Sequence, residues 1–153
     1  MIPGNSLRKA TIRTEDAVIN GLFSGVAAGL VMILFLALSG LVTGHNFEIL
    51  IGLFDPSGNN NPISGIAAHM AVSGVYGLLF GLLWKILKLA PRRLMVWLGG
   101  MIFSLLIFAA AELLILPGSN SPLIQMPELL FGLAHLVYGF VLGFGFSRSL
   151  QKT

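Results

Sequence analysis

Residues 21–42 read GLFSGVAAGLVMILFLALSGLV, 22 positions without a charge, and this stretch decides the fold. A helix needs about 20 apolar residues to cross the hydrocarbon core of a bilayer. A secretory signal would have an apolar core of roughly 7–15 residues ending at a small-residue cleavage site. The stretch is therefore read as an uncleaved first transmembrane helix. The whole composition agrees. Of 153 residues, 56% are hydrophobic and 10% are charged, against about 25% charged in soluble domains. Mean hydropathy is +0.90. There is no cysteine, which excludes disulfides, thiolate metal sites and cysteine nucleophiles.

Working outward, residues 44–62 contain no lysine or arginine. Within them Phe47 to Phe54 is too short to span, and reads as an interfacial helix over about 46–54. Asp55-Pro56-Ser57-Gly58 and Asn59 to Pro62 supply turn chemistry, with Pro62 suited to the first position of the next helix. Further spans are expected over about 63–89, 94–116 and 127–147, with the first over about 17–43. Ala90-Pro91-Arg92-Arg93 is a basic turn, and Trp84 and Trp97 mark the same interface. Pro117 to Pro122 breaks the third helix. The expected architecture is all-α: one membrane domain over 1–153, a four-helix bundle of two helical hairpins.

All nine basic residues lie in the N-terminal tail (Arg8, Lys9, Arg13), at the Lys85–Arg93 turn, or in the C-terminal tail (Arg148, Lys152). By the positive-inside rule both termini are cytoplasmic and the two Asn/Pro/Gly-rich loops face outward. The expected location is a prokaryotic plasma membrane. The formal charge of +3 sits beside apolar spans, so anionic lipid headgroups on the cytoplasmic face, not nucleic acid, are the expected partner. His45 in the outer loop reads as solvated.

Gly21, Gly25 and Gly29 fall within an arc of about 80° on a helix, a face that lets another backbone come close. Gly77 and Gly81, and again Gly139 and Gly143, form similar stripes. Val75-Tyr76-Gly77 … Gly81 echoes Val137-Tyr138-Gly139 … Gly143, and Ala68-His69 echoes Ala134-His135. The pattern suggests an internal repeat, although histidine and tyrosine are seven residues apart in one copy and three in the other. Counted from Pro62 and Pro127, His69 and His135 lie at one depth, roughly 10–12 Å below the outer helix ends. Glu112 lies roughly 7–8 Å down from the same side. Ionisable groups in hydrocarbon are costly and turn toward partners or water.

Four roles suit such a cluster. Neutral histidines can bind tyrosine hydroxyls or carbonyls and tie helices together. Two histidines at one depth are the minimum for bis-imidazole ligation of a b-type haem, but neither outer loop has an arginine for the propionates. Two histidines with Glu112 would make a ligand set for a transition metal or an ion path. Lipid or quinone binding is the fourth. No catalytic triad, phosphate loop or dinucleotide fingerprint is present, so the chain is not expected to be an enzyme.

The glycine-rich first helix, the Phe47-to-Gly52 segment, the Gly65-to-Gly81 helix with His69, and Ala134-His135-Leu136-Val137-Tyr138-Gly139 … Gly143 together resemble a family of small four-helix bacterial and archaeal membrane proteins of unknown function. The resemblance implies a multi-pass membrane protein and supplies no activity, catalytic residue or cofactor. The leading expectation is a non-enzymatic structural or accessory component of a membrane assembly, associating with itself or a larger complex through the glycine faces. The alternative is a haem-, metal- or ion-handling protein using His69 and His135.

Because the chain has no native cysteine, topology can be read by labelling. Asn59→Cys and Asn120→Cys are expected to react with a membrane-impermeant maleimide in intact cells. Lys88→Cys and Gln151→Cys are expected to react only after permeabilisation.

Overall fold

α1 runs from Thr14 to Thr43, α2 from Phe47 to Gly52, α3 from Pro62 to Ile86, α4 from Arg93 to Ala110 and α5 from Glu128 to Ser149. This is a computed structural model, and it describes residues 13–44, 46–89 and 92–151. Arg8, Lys9, His45, Ala90, Pro91 and Lys152 lie outside the described residues. α1, α3, α4 with its continuation, and α5 are each long and apolar enough to cross a membrane. The expected all-α, four-span architecture is therefore the observed one.

The helix ends follow local chemistry. α1 stops at Gly44, whose φ of 76° is the left-handed conformation that closes a helix. Asn46 caps α2 by accepting from the Glu48 N–H at 2.8 Å. Asn61 caps α3, accepting from Ile63 N and Ser64 N, and Pro62 takes the first helical position. α3 ends at Ile86, short of the expected 89, because Lys88 turns to φ 50°. α4 changes character at Ala111, running on as a π turn from Ala111 to Ile115 and then a 3-10 turn from Leu116 to Gly118.

The helices meet through small residues. α1 lies antiparallel on α3, with Gly21 against Gly77 and Gly81, Gly25 against Ser73 and Gly77, and Gly29 against Ser73. A Cβ placed on Gly25 would stand 2.6 Å from Gly77 Cα, so the two backbones are already in contact. α4 lies on α5 in the same manner: a Cβ on Gly100 would stand 2.9 Å from Gly143 Cα, and one on Gly139 2.8 Å from Met101 Cα. In each hairpin the Tyr-Gly-xxx-Gly pattern thus presents its glycines to the preceding spanning helix.

α1 also packs on α5, giving the helix sequence α3–α1–α5–α4 across the bundle. Tyr138 fastens α5 to α3 by donating to the Ser73 carbonyl at 2.7 Å. Ser104 fastens α4 to α5 by donating to the His135 carbonyl at 2.5 Å, and Trp97 Nε1 donates to Ser147 Oγ at 3.0 Å. Between α3 and α4 side chains bridge the gap: Phe80 meets Phe103 with centroids 5.4 Å apart. α4 is the most peripheral span, with Leu94, Leu98, Ile102 and Leu106 among its exposed side chains.

These contacts correct the association reading. The Gly21/Gly25/Gly29 face is covered by α3 of the same chain and is not free for a partner. Lipid is as apolar as the helix surfaces, so close backbone approach and interhelical hydrogen bonds supply the packing energy. Gly77→Ala is expected to destabilise the detergent-solubilised protein by about 1–3 kcal/mol, the range for overpacking a tight interior. Gly118→Ala, where nothing lies within 4 Å of the added Cβ, is expected to leave the thermal midpoint unchanged.

Candidate cavity at the loop end of the bundle

A hollow of about 350 Å³ opens between α3, α4 and α5, at the end of the bundle that carries the 44–61 and 116–127 loops. His69, Ser73 and Tyr76 of α3 line one side, Ile107, Ala111 and Ile115 of α4 a second, and Phe131, His135 and Tyr138 of α5 a third. Leu53 to Pro56 and Leu123 close the loop end. The hollow exists because α3 and α4 do not share a glycine seam. The π turn of α4 borders it, and such turns replace the regular helical ladder at functional sites.

Asp55 builds the cover. It is 1% exposed, yet no cation stands against it among the described residues. Oδ1 accepts from Ser57 N at 3.1 Å and Ser64 Oγ at 2.7 Å, and Oδ2 from Ser57 Oγ at 2.7 Å and Asn61 N at 3.0 Å. These donors, the Ser64 hydroxyl foremost, then Asn61 N–H and Ser57, hold its carboxyl well below the usual carboxylate range. The loop is thereby drawn onto the N-terminus of α3. α2 packs beneath it, with Leu50, Ile51 and Leu53 buried. A Cβ on Gly52 would press on the Asn60 backbone, which is why the chain needs glycine at that crossing.

His69 and His135 share this cavity, each 8% exposed. His69 Nε2 lies 3.2 Å from the Gly29 carbonyl. A carbonyl can only accept, so Nε2 carries the hydrogen and, in the uncharged ring, Nδ1 is bare. His135 Nδ1 lies 2.8 Å from the Phe131 carbonyl, so its Nε2 is bare by the same reasoning. Neither bare nitrogen has a hydrogen-bond partner among the described residues. Neither is sealed in, because the one fully buried side-chain polar atom without a partner there is Trp84 Nε1. Phe54 packs edge-on to His69 at 4.8 Å and Phe131 to His135 at 4.4 Å, fixing both rings.

A family profile described as a family of unknown function, DUF6789, matches residues 15–153. The chain belongs to that family. No curated protein and no solved structure matches it. Membership in DUF6789 assigns no role to any residue; the four helices long and apolar enough to cross a membrane fit a multi-pass membrane protein.

Within this DUF6789 chain the three-residue cluster needs correcting. Glu112 is half-buried and does not line the cavity. Ala111 and Ile115 of the π turn do line it, while Glu112, the residue after Ala111, does not. Among the described residues no three of His, Cys, Asp and Glu come together as a metal site. A bis-imidazole haem does not fit either. Nε2, the nitrogen remote from Cβ, is the unhindered ligand atom of a histidine, and in His69 it is turned to Gly29. No lysine or arginine lines the cavity for propionates.

Tyr76, whose hydroxyl makes no hydrogen bond among the described residues, lines the cavity, while its echo Tyr138 is spent on Ser73. Gly132 faces Phe108, not the Gly139–Gly143 seam. Asp55, Phe54 and Phe131 were not legible as site residues. The available signal was a carboxylate between a short apolar run and an Asn-Pro helix start.

Asp55→Asn would set an amide N–H₂ against donors, and is expected to lower the thermal midpoint and open the 55–61 loop to protease at neutral pH. In the wild type the folded carboxyl titrates below the unfolded one. Its stabilisation is therefore complete above the ordinary value of 3.8 and is lost as pH falls through the lowered native value. Loop proteolysis against pH is expected to show that acid-side loss in the wild type and a flat response in Asp55→Asn.

Proposed function

We propose that this chain is a non-enzymatic protein of a prokaryotic plasma membrane that holds a membrane-borne amphiphile in the cavity between α3, α4 and α5. The observation that carries this reading is a cavity walled mainly by apolar side chains and lined by two histidines, each with one ring nitrogen that has no hydrogen-bond partner among the described residues. Pockets of about 300–1,000 Å³ with a few convergent polar groups are the usual form of a small-molecule site. The partition of basic residues supports cytoplasmic termini and an outward-facing loop end. The cavity then lies in the outer leaflet, and anionic headgroups meet the basic end.

The polar groups around the cavity are held in ways that do not suit them to catalysis. Ser73 Oγ stands 3.4 Å from His69 Nε2. That nitrogen already directs its hydrogen at Gly29, so it cannot take a proton from the serine. Asp55 lines the cavity, but its lone pairs are occupied by the donors of its own loop.

A role in a larger assembly survives in altered form. The α1 glycines no longer support it, but the peripheral position of α4 does, since Leu94, Leu98, Ile102 and Leu106 are exposed along it. The amphiphile reading is tested by mass spectrometry of lipids carried through purification in a mild detergent. One neutral lipid class is expected to be enriched over the bulk membrane, and to be lost from Ala111→Phe, which fills the cavity from α4. An unenriched lipid profile, or the same enrichment in Ala111→Phe, would overturn it.

A further inference from the structure

Resting on that reading of the cavity, we propose that the head group it takes is a neutral aromatic diol, the reduced hydroquinone form of a quinone lipid. The inference starts from the hydrogen-bond inventory. His69 offers Nδ1 and His135 offers Nε2, each a lone pair without a proton, because the other nitrogen of each ring is committed to a backbone carbonyl. A ligand that meets both must bring two donors. An ester, a ketone or the oxidised quinone brings lone pairs to lone pairs, and a desolvated acceptor without a partner is costly.

Charge narrows the class further. No lysine or arginine lines the cavity, and the Asp55 carboxylate does. A fatty acid or lipid phosphate would bring its negative charge into an apolar hollow with a carboxylate already at its cover and no cation to pair with. The ligand head is therefore neutral. Its flatness follows from the walls. Phe54, Phe131 and Tyr76 line the hollow together with the two imidazoles, and aromatic rings favour offset or edge-on neighbours at centroid distances of about 4.5–7 Å. A ring carrying hydroxyls at its two ends presents one donor toward α3 and one toward α5. Tyr76 supplies a further hydroxyl, which can accept from or donate to the same ring.

The tail has a path. A second hollow of about 180 Å³ lies further along the same α3–α4 seam, between Leu83, Phe103 and Leu106. Side chains alone bridge this seam, and Val72, Leu79 and Leu83 of α3 and Ile102 and Leu106 of α4 are exposed along the two helices. An apolar tail can leave the head site sideways between α3 and α4, into lipid, without unpacking either glycine seam. The binding involves no electron transfer; the diol is held in its reduced form.

The test uses the full chain in phosphatidylcholine nanodiscs, titrated anaerobically by calorimetry with a decyl-substituted benzohydroquinone, the matching benzoquinone, and decanoic acid. The hydroquinone is expected to bind at least about tenfold more tightly than the quinone, the difference that one stranded acceptor makes, and decanoate is expected not to bind. His69→Leu and His135→Leu are each expected to weaken the hydroquinone about tenfold and to leave the quinone no weaker, a split that general loosening of the fold would not give. Equal or tighter binding of the quinone, saturable binding of decanoate, or a histidine variant that keeps the preference would overturn the diol assignment while leaving the cavity reading intact. No saturable binding by any of the three, together with an unenriched lipid profile in the purified protein, would overturn both.

Discussion

The contact between the α1 and α3 backbones at Gly25 and Gly77 is the constraint on which the rest of the structure depends. Lipid offers no reward for hiding apolar surface. Helices that must stay together have to come close enough for dispersion and carbonyl contacts to outweigh their contacts with acyl chains. Side chains of ordinary size prevent this. The chain meets the requirement with glycine and serine along the α1–α3 seam and again along the α4–α5 seam, once in each hairpin. Having joined α1 to α3 and α4 to α5, it has no such seam left for α3 and α4. The cavity is what remains where the small residues stop.

Into that gap the chain puts its expensive groups. Two histidines, a tyrosine and a carboxylate would each be costly in hydrocarbon, and each has a stated arrangement. The Gly29 and Phe131 carbonyls orient the imidazoles, serine and backbone donors surround Asp55, and Ser73 receives Tyr138. The histidine pair is therefore both structural and presented. One nitrogen of each ring binds helix to helix or turn to turn, and the other has no hydrogen-bond partner among the described residues. The helix tie weighed in the sequence uses one atom of each ring, so it does not compete with the ligand role proposed for the other.

Much of this was legible in advance for identifiable reasons. Twenty-residue apolar runs, caps such as Asn61-Pro62, and the depth of His69 and His135 follow from rise per residue and local chemistry alone. The glycine faces could be seen, but not which helix would cover them, because pairing depends on how the loops return the chain. Asp55 read as a turn residue, since nothing in a linear sequence shows that Ser57, Asn61 and Ser64 converge on it. Glu112 was placed by depth without regard to its angle around the helix, and depth alone cannot bring a side chain to a site. Tautomers lie further still from the sequence, because they depend on which carbonyl each ring happens to face.

The single-edged attachment of α4 has a consequence for how this protein can change over time. α1 packs on both α3 and α5, and α5 on both α1 and α4, so more of their positions touch a neighbour than on α4. On α4 the demanding positions lie along one side: Val96, Gly100 and Ser104, which are buried, Trp97 through its bond to Ser147, Gly99 against the Trp84 ring, and Phe103 and Phe108 through their ring contacts. The remainder needs only to be apolar and helical. α4 is thus the part of the chain where sequence can drift most freely while the bundle endures. It is also where a new lateral neighbour, or a cavity recut for a different head group, can be acquired at least cost to the fold.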